Sequence, residues 1–288
     1  MPLNTFVSIP ESNLDECLQA WLREDVGRGD WTTAGLGALV QQPGEAIWIS
    51  RASGVVAGLP FASRLFQQLD PDLDFQPLVS DGDCCAKDTA IAKMRGNLAA
   101  LLTGERVALN LVMRLSGIAT ATRQYVEQLA PGPTQFVDTR KTTPGLRQFE
   151  KYASRVGGAI NHRLGLDDAV MIKDNHIAAA GGLRQAVAHI RPAIPYPMTV
   201  EVETSSLEQV EEALSCPVDI IMLDNMAPDV MAAAVVRIRE QRPEIKIEAS
   251  GNVTLETLGP IAATGVDFIS SSAPVTRAPW LDISMQIV

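Results

Sequence analysis

Residues 138–176 hold the densest set of side chains in this chain that could bind an anion. The segment contains seven Lys or Arg and two His against five acids, so it is net +2 while the whole chain is −10. Arg140 and Lys141 are adjacent, which places a planar guanidinium beside an ammonium point charge. Such a pair suits a carboxylate next to a phosphate or pyrophosphate. The segment therefore predicts a site for a small, heavily charged anion.

The cations of this segment fall into two patterns. Arg147, Lys151 and Arg155 repeat at helical spacing after Pro144, which is typical of a solvated basic helix face. The others follow or end apolar runs, as residues at strand ends do: Arg140, Lys141, Arg163 and Lys173. We expect the second group to form the anion site.

Length and composition narrow the class of protein. A chain of 288 residues with 46% hydrophobic residues can form one large domain or two smaller ones. A pI near 4.8 argues against nucleic acid or an anionic membrane surface as the main partner. No apolar run reaches the length of a membrane span, and residues 1–16 lack the basic and apolar regions of a signal peptide. Four cysteines without a CxxC spacing predict reduced thiols in the cytoplasm and no zinc site: Cys17, Cys84, Cys85 and Cys216.

The pattern of apolar residues divides the chain near residue 114. The first part mixes helices with short strands and ends in a long helix from Asn97 to Leu115, which Gly104–Arg106 is expected to interrupt. From about residue 134, strands alternate with helices, which implies a parallel sheet with right-handed crossovers. About seven such units favour an α/β barrel. The candidate strands are Gln135–Asp138, Gly158–Asn161, Ala169–Lys173, Met198–Glu203, Asp219–Leu223, Lys246–Ala249 and Val266–Ser270.

Polar residues follow most of these strands, where barrel enzymes carry their active sites. Glu201 and Glu203 are two residues apart, so on a strand both face the same way, toward the core or the site. A buried structural carboxylate is the alternative, but it is uncommon without a partner. Arg106 lies outside the barrel half, where an ordinary surface arginine is the alternative. The strand-end groups are Asp138–Lys141, His162–Arg163, Lys173–His176, Glu201 with Glu203, Asp224–Asn225, Ser250–Asn252 and Ser270–Ser272.

Six of these stretches, in this order, resemble one enzyme family. They read DTRKTTPGLR, GGAINHRLGLDDAVMIKDNH, EVET, IMLDN, EASGN and GVDFIS, and they are similar to quinolinate phosphoribosyltransferase, also called nicotinate-nucleotide pyrophosphorylase (carboxylating). LREDVGRGDWTT and TGERVALNLVMRLSGIATAT fit the same family. The resemblance covers nearly the whole chain.

The resemblance implies an architecture. It predicts an N-terminal α/β sandwich-like domain over residues 1–114, to which residues 279–288 return, and an open seven-stranded α/β barrel over residues 115–278. It also implies a homodimer in which each site is completed by the partner, so that Arg106 serves the barrel of the other chain.

The resemblance implies a reaction as well. Quinolinate and phosphoribosyl pyrophosphate, with Mg²⁺, give nicotinate mononucleotide, pyrophosphate and CO₂ in de novo NAD biosynthesis. Lys141, Glu201 and Asp224 are the implied catalytic residues, and Glu201 and Asp224 the implied Mg²⁺ ligands. Acidic groups near the ribose favour the positive charge that develops as the bond to the anomeric carbon breaks. The implied substrate-binding residues are Arg106, Thr139, Arg140, Lys141, His162, Arg163, Lys173, Glu201, Asp224, Ser250, Gly251, Asn252, Ser271, Ser272 and Ala273.

One stretch departs from the family, and several alternatives stay open. Where many members have Gly–Ala–Leu–Thr and then a basic or imidazole side chain, this chain reads Ser272–Ala273–Pro274–Val275–Thr276–Arg277. A serine hydroxyl can still bind phosphate, and either Thr276 or Arg277 replaces the basic group. The alternatives are a paralogue of the same fold, such as a molybdenum-transport-associated relative or a nicotinate phosphoribosyltransferase, a Schiff-base lyase using Lys173, and a non-enzymatic scaffold.

Overall fold

The structure, a computed structural model, describes residues 11–288, with side chains from residue 13 onward. Most of the stretch that predicts the absence of a signal peptide therefore lies outside the described residues. Contacts divide the chain into two units. The first contains residues up to Ala121, Gln148–Gly157 and Arg277–Val288, and the second contains Thr122–Arg147 and Gly158–Thr276. The division thus falls later than residue 114, and residues 148–157, predicted within the barrel domain, belong to the first unit.

Helices and strands alternate along most of the described chain. None of the described helices is both long and apolar enough to cross a membrane. The helices are α1 Glu11–Val26, α2 Trp31–Leu36, α3 Leu59–Leu69, α4 Leu98–Leu129, α5 Arg147–Val156, α6 Asp174–Ala180, α7 Leu183–Ile190, α8 Leu207–Leu214, α9 Pro228–Gln241, α10 Leu255–Ala262 and α11 Ala273–Thr276, with 3₁₀ turns at Gly37–Val40 and Arg191–Ala193. The strands are β1 Pro43–Ser50, β2 Gly54–Val55, β3 Asp74–Pro77, β4 Cys84–Cys85, β5 Ala90–Asn97, β6 Gln135–Val137, β7 Val170–Ile172, β8 Val200–Thr204, β9 Ile220–Asp224, β10 Lys246–Ser250, β11 Phe268–Ser270 and β12 Ile283–Ile287.

The first unit is built on a four-stranded antiparallel sheet in the order β12–β1–β5–β3. Its core contains Trp48 and Phe66, both fully buried, with ring centroids 6.2 Å apart. α4 runs without a break through Gly104, so the predicted interruption there is wrong. A Cβ on Gly104 would lie 2.7 Å from the Phe66 ring, so this glycine serves close packing.

α5 also corrects an expectation about charge. Its spacing predicts that Lys151 lies on a solvated face, but Lys151 is only 2% exposed. The neighbouring Glu150 is fully buried and accepts a hydrogen bond from Arg114 Nη2 at 2.7 Å. Helical spacing alone does not separate a solvated basic face from one whose charges are buried.

The second unit is built on a parallel sheet in the order β6–β11–β10–β9–β8–β7. This arrangement of strands and intervening helices confirms the predicted α/β fold, and six of the seven candidate strands are present. The seventh, Gly158–Asn161, is reduced to a single parallel bridge between Ile160 and Val137.

The two faces of this parallel sheet differ in chemistry. One face is apolar and joins the buried core that the helices cover, with Val202, Ile221, Leu223, Ile247 and Ile269 as examples. The opposite face carries the alternate residues of the same strands. Because side chains alternate along a strand, these two sets point to opposite sides. The second set is polar or charged at the carboxyl ends of the strands, so the functional site is expected there.

The amino end of the sheet is closed by two equivalent hydrogen-bonded pairs, which we call the Arg–Asp braces. Asp219 Oδ2 accepts from Arg191 Nη2 at 2.8 Å and from the backbone N–H that begins β8 at 2.7 Å. Asp267 Oδ2 accepts from Arg239 Nη2 at 2.8 Å and from the backbone N–H of Ile247 at 2.8 Å. In both braces, the second guanidinium nitrogen donates to a carbonyl just before the neighbouring strand. The same device therefore fixes two successive strand pairs.

Candidate active site

A pocket of about 510 Å³ lies in the second unit, where the carboxyl ends of its strands meet. Such a position is the usual one for catalysis in α/β barrels. Its wall consists of Thr139, Arg140, Lys141, His162, Arg163, Met171, Lys173, Glu203, Met222, Asp224, Asn225, Glu248, Ser250, Gly251, Asn252 and Ser270. Ten of the fifteen residues implied for the site thus lie together.

Strand register explains why these side chains converge. In neighbouring strands, Glu203 pairs with Met222 and Met222 with Glu248, so the three form one row across the sheet. Asp224 pairs with Ser250 one step nearer the carboxyl end. Because side chains alternate along a strand, each strand presents every second residue to the pocket.

Two guanidinium groups lie side by side in the pocket wall. Burial, and then the neighbouring charge of Arg140, lowers the pKa of Arg163 from its ordinary value. Arg163 Nη1 donates to the carbonyl of Ala169 at 2.8 Å, which fixes its direction. Arg140 Nε is buried without a hydrogen-bond partner. Two like charges held together in a partly buried place favour an anionic ligand with more than one negative group.

Acidic groups lie in the same wall beside a lysine. Lys173 Nζ donates to Glu203 Oε2 at 2.7 Å. Burial, and then the charge of Glu203, raises the pKa of Asp224. Asn225 Nδ2 donates to Asp224 Oδ2 at 2.7 Å and so orients that carboxylate. Two neighbouring carboxylates at strand ends are the oxygen ligands that Mg²⁺ prefers.

The structure separates Glu201 from Glu203. Both face the same side of β8, as predicted, but Glu201 is only 2% exposed and is not part of the pocket wall. Two residues along a strand span about 6.6 Å, so Glu201 lies one layer deeper than Glu203. Glu203, paired with Lys173 and next to Asp224, occupies the place that the sequence interpretation gave to Glu201.

His162 lies above two buried carboxylates. Its Nε2 is 3.1 Å from Glu201 Oε2 and 3.6 Å from Glu248 Oε2. Burial, and then the charge of Glu201, raises the pKa of Glu248 to about 7. These three groups have the composition of a metal site. However, His162 Nδ1 accepts the backbone N–H of Arg163 at 2.7 Å, so the ring proton is on Nε2. A protonated Nε2 cannot bind a metal.

The loop after β10 is shaped by left-handed backbone. Gly251 has φ +89°, and a Cβ there would meet Asn225 Oδ1 and lie 2.9 Å from its backbone nitrogen. Asn225 and Asn252 also have positive φ, at 53° and 51°. Asn252 Nδ2 donates to Asn225 Oδ1 at 3.1 Å. The loop therefore approaches the end of β9 closely enough that position 251 requires glycine.

The remaining predicted residues lie elsewhere. Ser271, Ser272 and Ala273 are outside the pocket wall, which reaches only Ser270, and they lead into α11. Thr276 donates its hydroxyl to the Ser272 carbonyl at 3.0 Å. Arg106 belongs to the first unit, where its side chain is 60% exposed and its nearest acid is Glu105 at 3.8 Å.

Sequence reasoning missed several residues of the wall. The period of two could have found them, because Met171, Met222 and Glu248 each precede a predicted site residue by two positions. Glu248 is the one acid of its strand and lies between the apolar residues Ile247 and Ala249, which is the clearest unused signal. Ser270 and Asn225 were included among the strand-end groups but not among the implied ligands.

Comparison with known proteins identifies the family of this chain. Residues 30–116 match the model of the quinolinate phosphoribosyl transferase N-terminal domain, and residues 118–286 match that of the C-terminal domain. The chain is 64% identical over 275 residues to the probable nicotinate-nucleotide pyrophosphorylase (carboxylating) of Synechocystis, covering 96% of this chain and 92% of that one. It is 38% identical to the human nicotinate-nucleotide pyrophosphorylase (carboxylating), covering 97% of this chain and 93% of that one.

A solved structure extends the likeness to the fold. The crystal structure of NadC from Streptococcus pyogenes superposes with a TM-score of 0.92 at 40% identity, covering 98% of this chain and 99% of that one. Both domain models, the two relatives and the solved structure thus identify the same family. The chain belongs to the quinolinate phosphoribosyltransferase family.

Proposed function

We propose that this protein transfers the phosphoribosyl group of phosphoribosyl pyrophosphate to quinolinate with loss of CO₂, giving nicotinate mononucleotide and pyrophosphate for NAD biosynthesis. The observation that carries the proposal is a single pocket whose wall contains both positively and negatively charged side chains. Arg140, Lys141 and Arg163 supply positive charge, while Glu203 and Asp224 supply negative charge. A dianionic acid and a phosphorylated sugar need both.

The guanidinium pair recognises the acid substrate. Quinolinate carries two adjacent carboxylates, and Arg140 and Arg163 lie close enough for the charge of one to lower the pKa of the other. A bound dicarboxylate removes that repulsion and forms charge-assisted hydrogen bonds. Nicotinate has only one carboxylate and would leave positive charge in the pocket unpaired. The site therefore favours quinolinate over nicotinate.

The acidic wall serves the ribose and the metal. Glu203 and Asp224 accept hydrogen bonds from ribose hydroxyls and would hold Mg²⁺. The pKa of Asp224 is raised by burial and then by the charge of Glu203, and a bound divalent cation would offset both effects. Bound Mg²⁺ would neutralise charge on the pyrophosphate. As the ring nitrogen of quinolinate attacks the anomeric carbon and the bond to pyrophosphate breaks, the carboxylates stabilise the positive charge on the sugar.

The remaining residues hold the ends of the substrates. The ammonium of Lys141 is exposed in the wall and can bind the leaving pyrophosphate. Backbone N–H groups at Ser250–Asn252 can approach the 5′-phosphate. After transfer, the adjacent carboxylate leaves as CO₂, and its bonding electron pair stays on the ring carbon, where the neighbouring cationic nitrogen stabilises it until that carbon takes a proton. Positioning is the main requirement for that step.

The Schiff-base alternative has little support in this pocket. A lyase needs an uncharged lysine as nucleophile. Lys173 Nζ instead donates a hydrogen bond to Glu203 Oε2 at 2.7 Å, so this side chain is engaged in an ion pair. We therefore assign Lys173 to anion binding.

We also propose a homodimer with shared sites in a reducing, cytoplasmic compartment. Arg106 has an exposed guanidinium whose nearest acid is its own neighbour Glu105, and it lies in the first unit. In a two-fold dimer each Arg106 reaches the anion held by the other chain. The four cysteines are free thiols, which suits that compartment.

A direct assay tests the reaction. Purified protein is incubated with quinolinate, phosphoribosyl pyrophosphate and Mg²⁺, and both CO₂ and nicotinate mononucleotide are measured. We expect equal amounts of the two products, and little product when nicotinate replaces quinolinate. Comparable turnover of nicotinate would reject quinolinate as the preferred substrate.

Subunit complementation tests the shared site. An Arg106→Ala chain is mixed with a Lys141→Ala chain, each expected to be inactive alone. A heterodimer has one site with both defects and one with neither, so activity should return to a substantial fraction of one wild-type site. Confirmed subunit exchange without recovery would mean that Arg106 does not serve the partner.

A further inference from the structure

We propose that Glu201 is a positioning residue that holds the His162 imidazole in one tautomer, with Glu248 as a second support, and thereby sets the place of Arg163 for the acid substrate. The inference rests on the proposed function. It assigns Glu201 a different task from ribose or metal binding.

Glu201 cannot reach a ligand in the pocket directly. Its side chain is buried, and it lies outside the pocket wall. Its Oε2 is 3.1 Å from His162 Nε2, whereas its Oε1 has no hydrogen-bond partner. A buried carboxylate with one partner acts through that partner.

The ring of His162 has both nitrogens engaged within the protein. Nδ1 accepts the N–H of Arg163 at 2.7 Å, and Nε2 carries its proton toward Glu201. The imidazole therefore links Glu201 on β8 to the backbone of Arg163.

Asp138 fixes the backbone at His162 independently of the imidazole ring. Asp138 Oδ1 accepts the His162 N–H at 2.8 Å, and Asp138 Oδ2 accepts Asn161 Nδ2 at 2.7 Å. The imidazole then orients the following peptide, and Arg163 Nη1 binds the carbonyl of Ala169. A turn of the ring would break the contact to the Arg163 peptide. Loss of the acceptor at Glu201 permits that turn.

Glu248 supports the same ring from a second strand. Its Oε2 is 3.6 Å from His162 Nε2, beyond a normal hydrogen bond, and its Oε1 is buried without a partner. We therefore expect removal of Glu201 to matter more than removal of Glu248.

The first test reads the tautomer in the protein without substrate. The chain has only three histidines, so ¹⁵N signals of the rings can be assigned with a His162→Gln variant. We expect one Nε2–H tautomer for His162 in the wild type and a mixed or inverted one in Glu201→Leu. His176 and His189 are internal controls, because their Nδ1 atoms contact Lys173 N and Gln185 O and should not respond. An unchanged His162 signal in Glu201→Leu would overturn the inference.

The second test separates positioning from general damage. We expect Glu201→Leu to raise KM for quinolinate about tenfold, the effect of losing one charge-assisted hydrogen bond, with KM for phosphoribosyl pyrophosphate within about twofold. In a His162→Gln background, Glu201→Leu should change KM for quinolinate by less than about twofold. Asp267→Asn, which removes charge from a brace at the other end of the sheet, should leave KM for quinolinate unchanged. An equal effect of Glu201→Leu in both backgrounds would contradict action through His162.

A milder variant keeps the test decisive if Glu201→Leu does not fold. Glu201→Gln preserves volume and should raise KM for quinolinate about threefold, and this rise should also vanish when His162 is replaced. Wild-type turnover of quinolinate tests the proposed function alone. The tautomer measurement needs no turnover, so either idea can fail without the other.

Discussion

The charged side chains at the two ends of the parallel sheet differ in how completely they are hydrogen-bonded. At the amino end, Asp219 and Asp267 each accept two hydrogen bonds, from an arginine and from a backbone N–H. Toward the carboxyl end, Arg140 Nε and Glu248 Oε1 in the pocket wall, and Glu201 Oε1 one layer beneath it, are buried without partners. The same charged groups are saturated at one end and incompletely satisfied at the other.

This difference separates stability from function within a single layer of structure. A saturated charge pair cannot gain much from a ligand, because its hydrogen bonds are already made. Buried polar atoms without partners cost folding free energy, and of these three Arg140 Nε is the one that can still donate a hydrogen bond to an anionic ligand. Backbone strain follows the same division, since the described non-glycine residues of this unit with positive φ, Asn225 and Asn252, both lie at the carboxyl end.

The largest difference in activity is expected between substitutions at the two ends of β9. Asp224→Asn is expected to cost about 2–4 kcal/mol of transition-state stabilisation, because it removes a preorganised charge next to the ribose. Asp219→Asn, just before the same strand, should leave kcat/KM within about twofold. Steady-state kinetics at saturating Mg²⁺ measure both. Equal losses for the two variants would show that the ends are not functionally distinct.

The buried acid Glu248 should give the carboxyl end its own pH dependence. Its pKa is raised to about 7 in the folded protein, above the ordinary value of 4.5, mainly by burial. The folded state therefore keeps a proton that the unfolded chain releases, so stability falls as pH rises from about 4.5 to about 7 and is level above that.

Glu248→Gln should remove this dependence. The free energy of unfolding is measured in urea at pH 5 and at pH 8 for both proteins. The difference in this free energy between wild type and variant should change by roughly 1–3 kcal/mol between the two pH values. Glu211→Gln, at an exposed pair with Arg237, is the control and should follow the wild type. A parallel pH profile for Glu248→Gln would assign the titration to another group.

Replacing Gly251 should strain the carboxyl end directly. Gly251→Ala places a Cβ against Asn225 at a left-handed φ of +89°, so about 1–3 kcal/mol of strain or loop displacement is expected. KM for phosphoribosyl pyrophosphate should rise more than KM for quinolinate. Gly259→Ala is a matched control, since nothing lies within 4 Å of the added Cβ. Similar effects of the two substitutions would remove the steric argument.

The smallest effect should come from the braces. Asp267→Asn keeps an oxygen acceptor and loses only the charge, so a loss of about 1 kcal/mol in unfolding free energy is expected, without a change in activity. Because the two braces have the same contacts, Asp219→Asn should cost a similar amount by thermal or urea unfolding. Clearly unequal losses would mean that the braces are not equivalent.

The sequence was sufficient where a local pattern determines a residue's surroundings. Strand–helix alternation predicts the parallel sheet, and strand ends predict the pocket cations. The pattern could not decide between Glu201 and Glu203, because alternation fixes the face of a strand but not the depth along it. It also placed Lys151 in solvent, since the burial of α5 depends on elements distant in sequence. The shortened strand at Gly158–Asn161 depends on a single pairing with Val137 that no local signal encodes.

The position of β12 has a consequence for how the protein is made. This strand pairs with β1 along five residues, from Ala46 with Ile287 to Ser50 with Ile283, and it comes after every strand of the parallel sheet. A ribosome therefore releases the whole barrel region before the first unit receives its edge strand. The sheet of the first unit is therefore completed after the barrel region has been synthesised, so in the nascent protein this edge of β1 stays unpaired until β12 has been made.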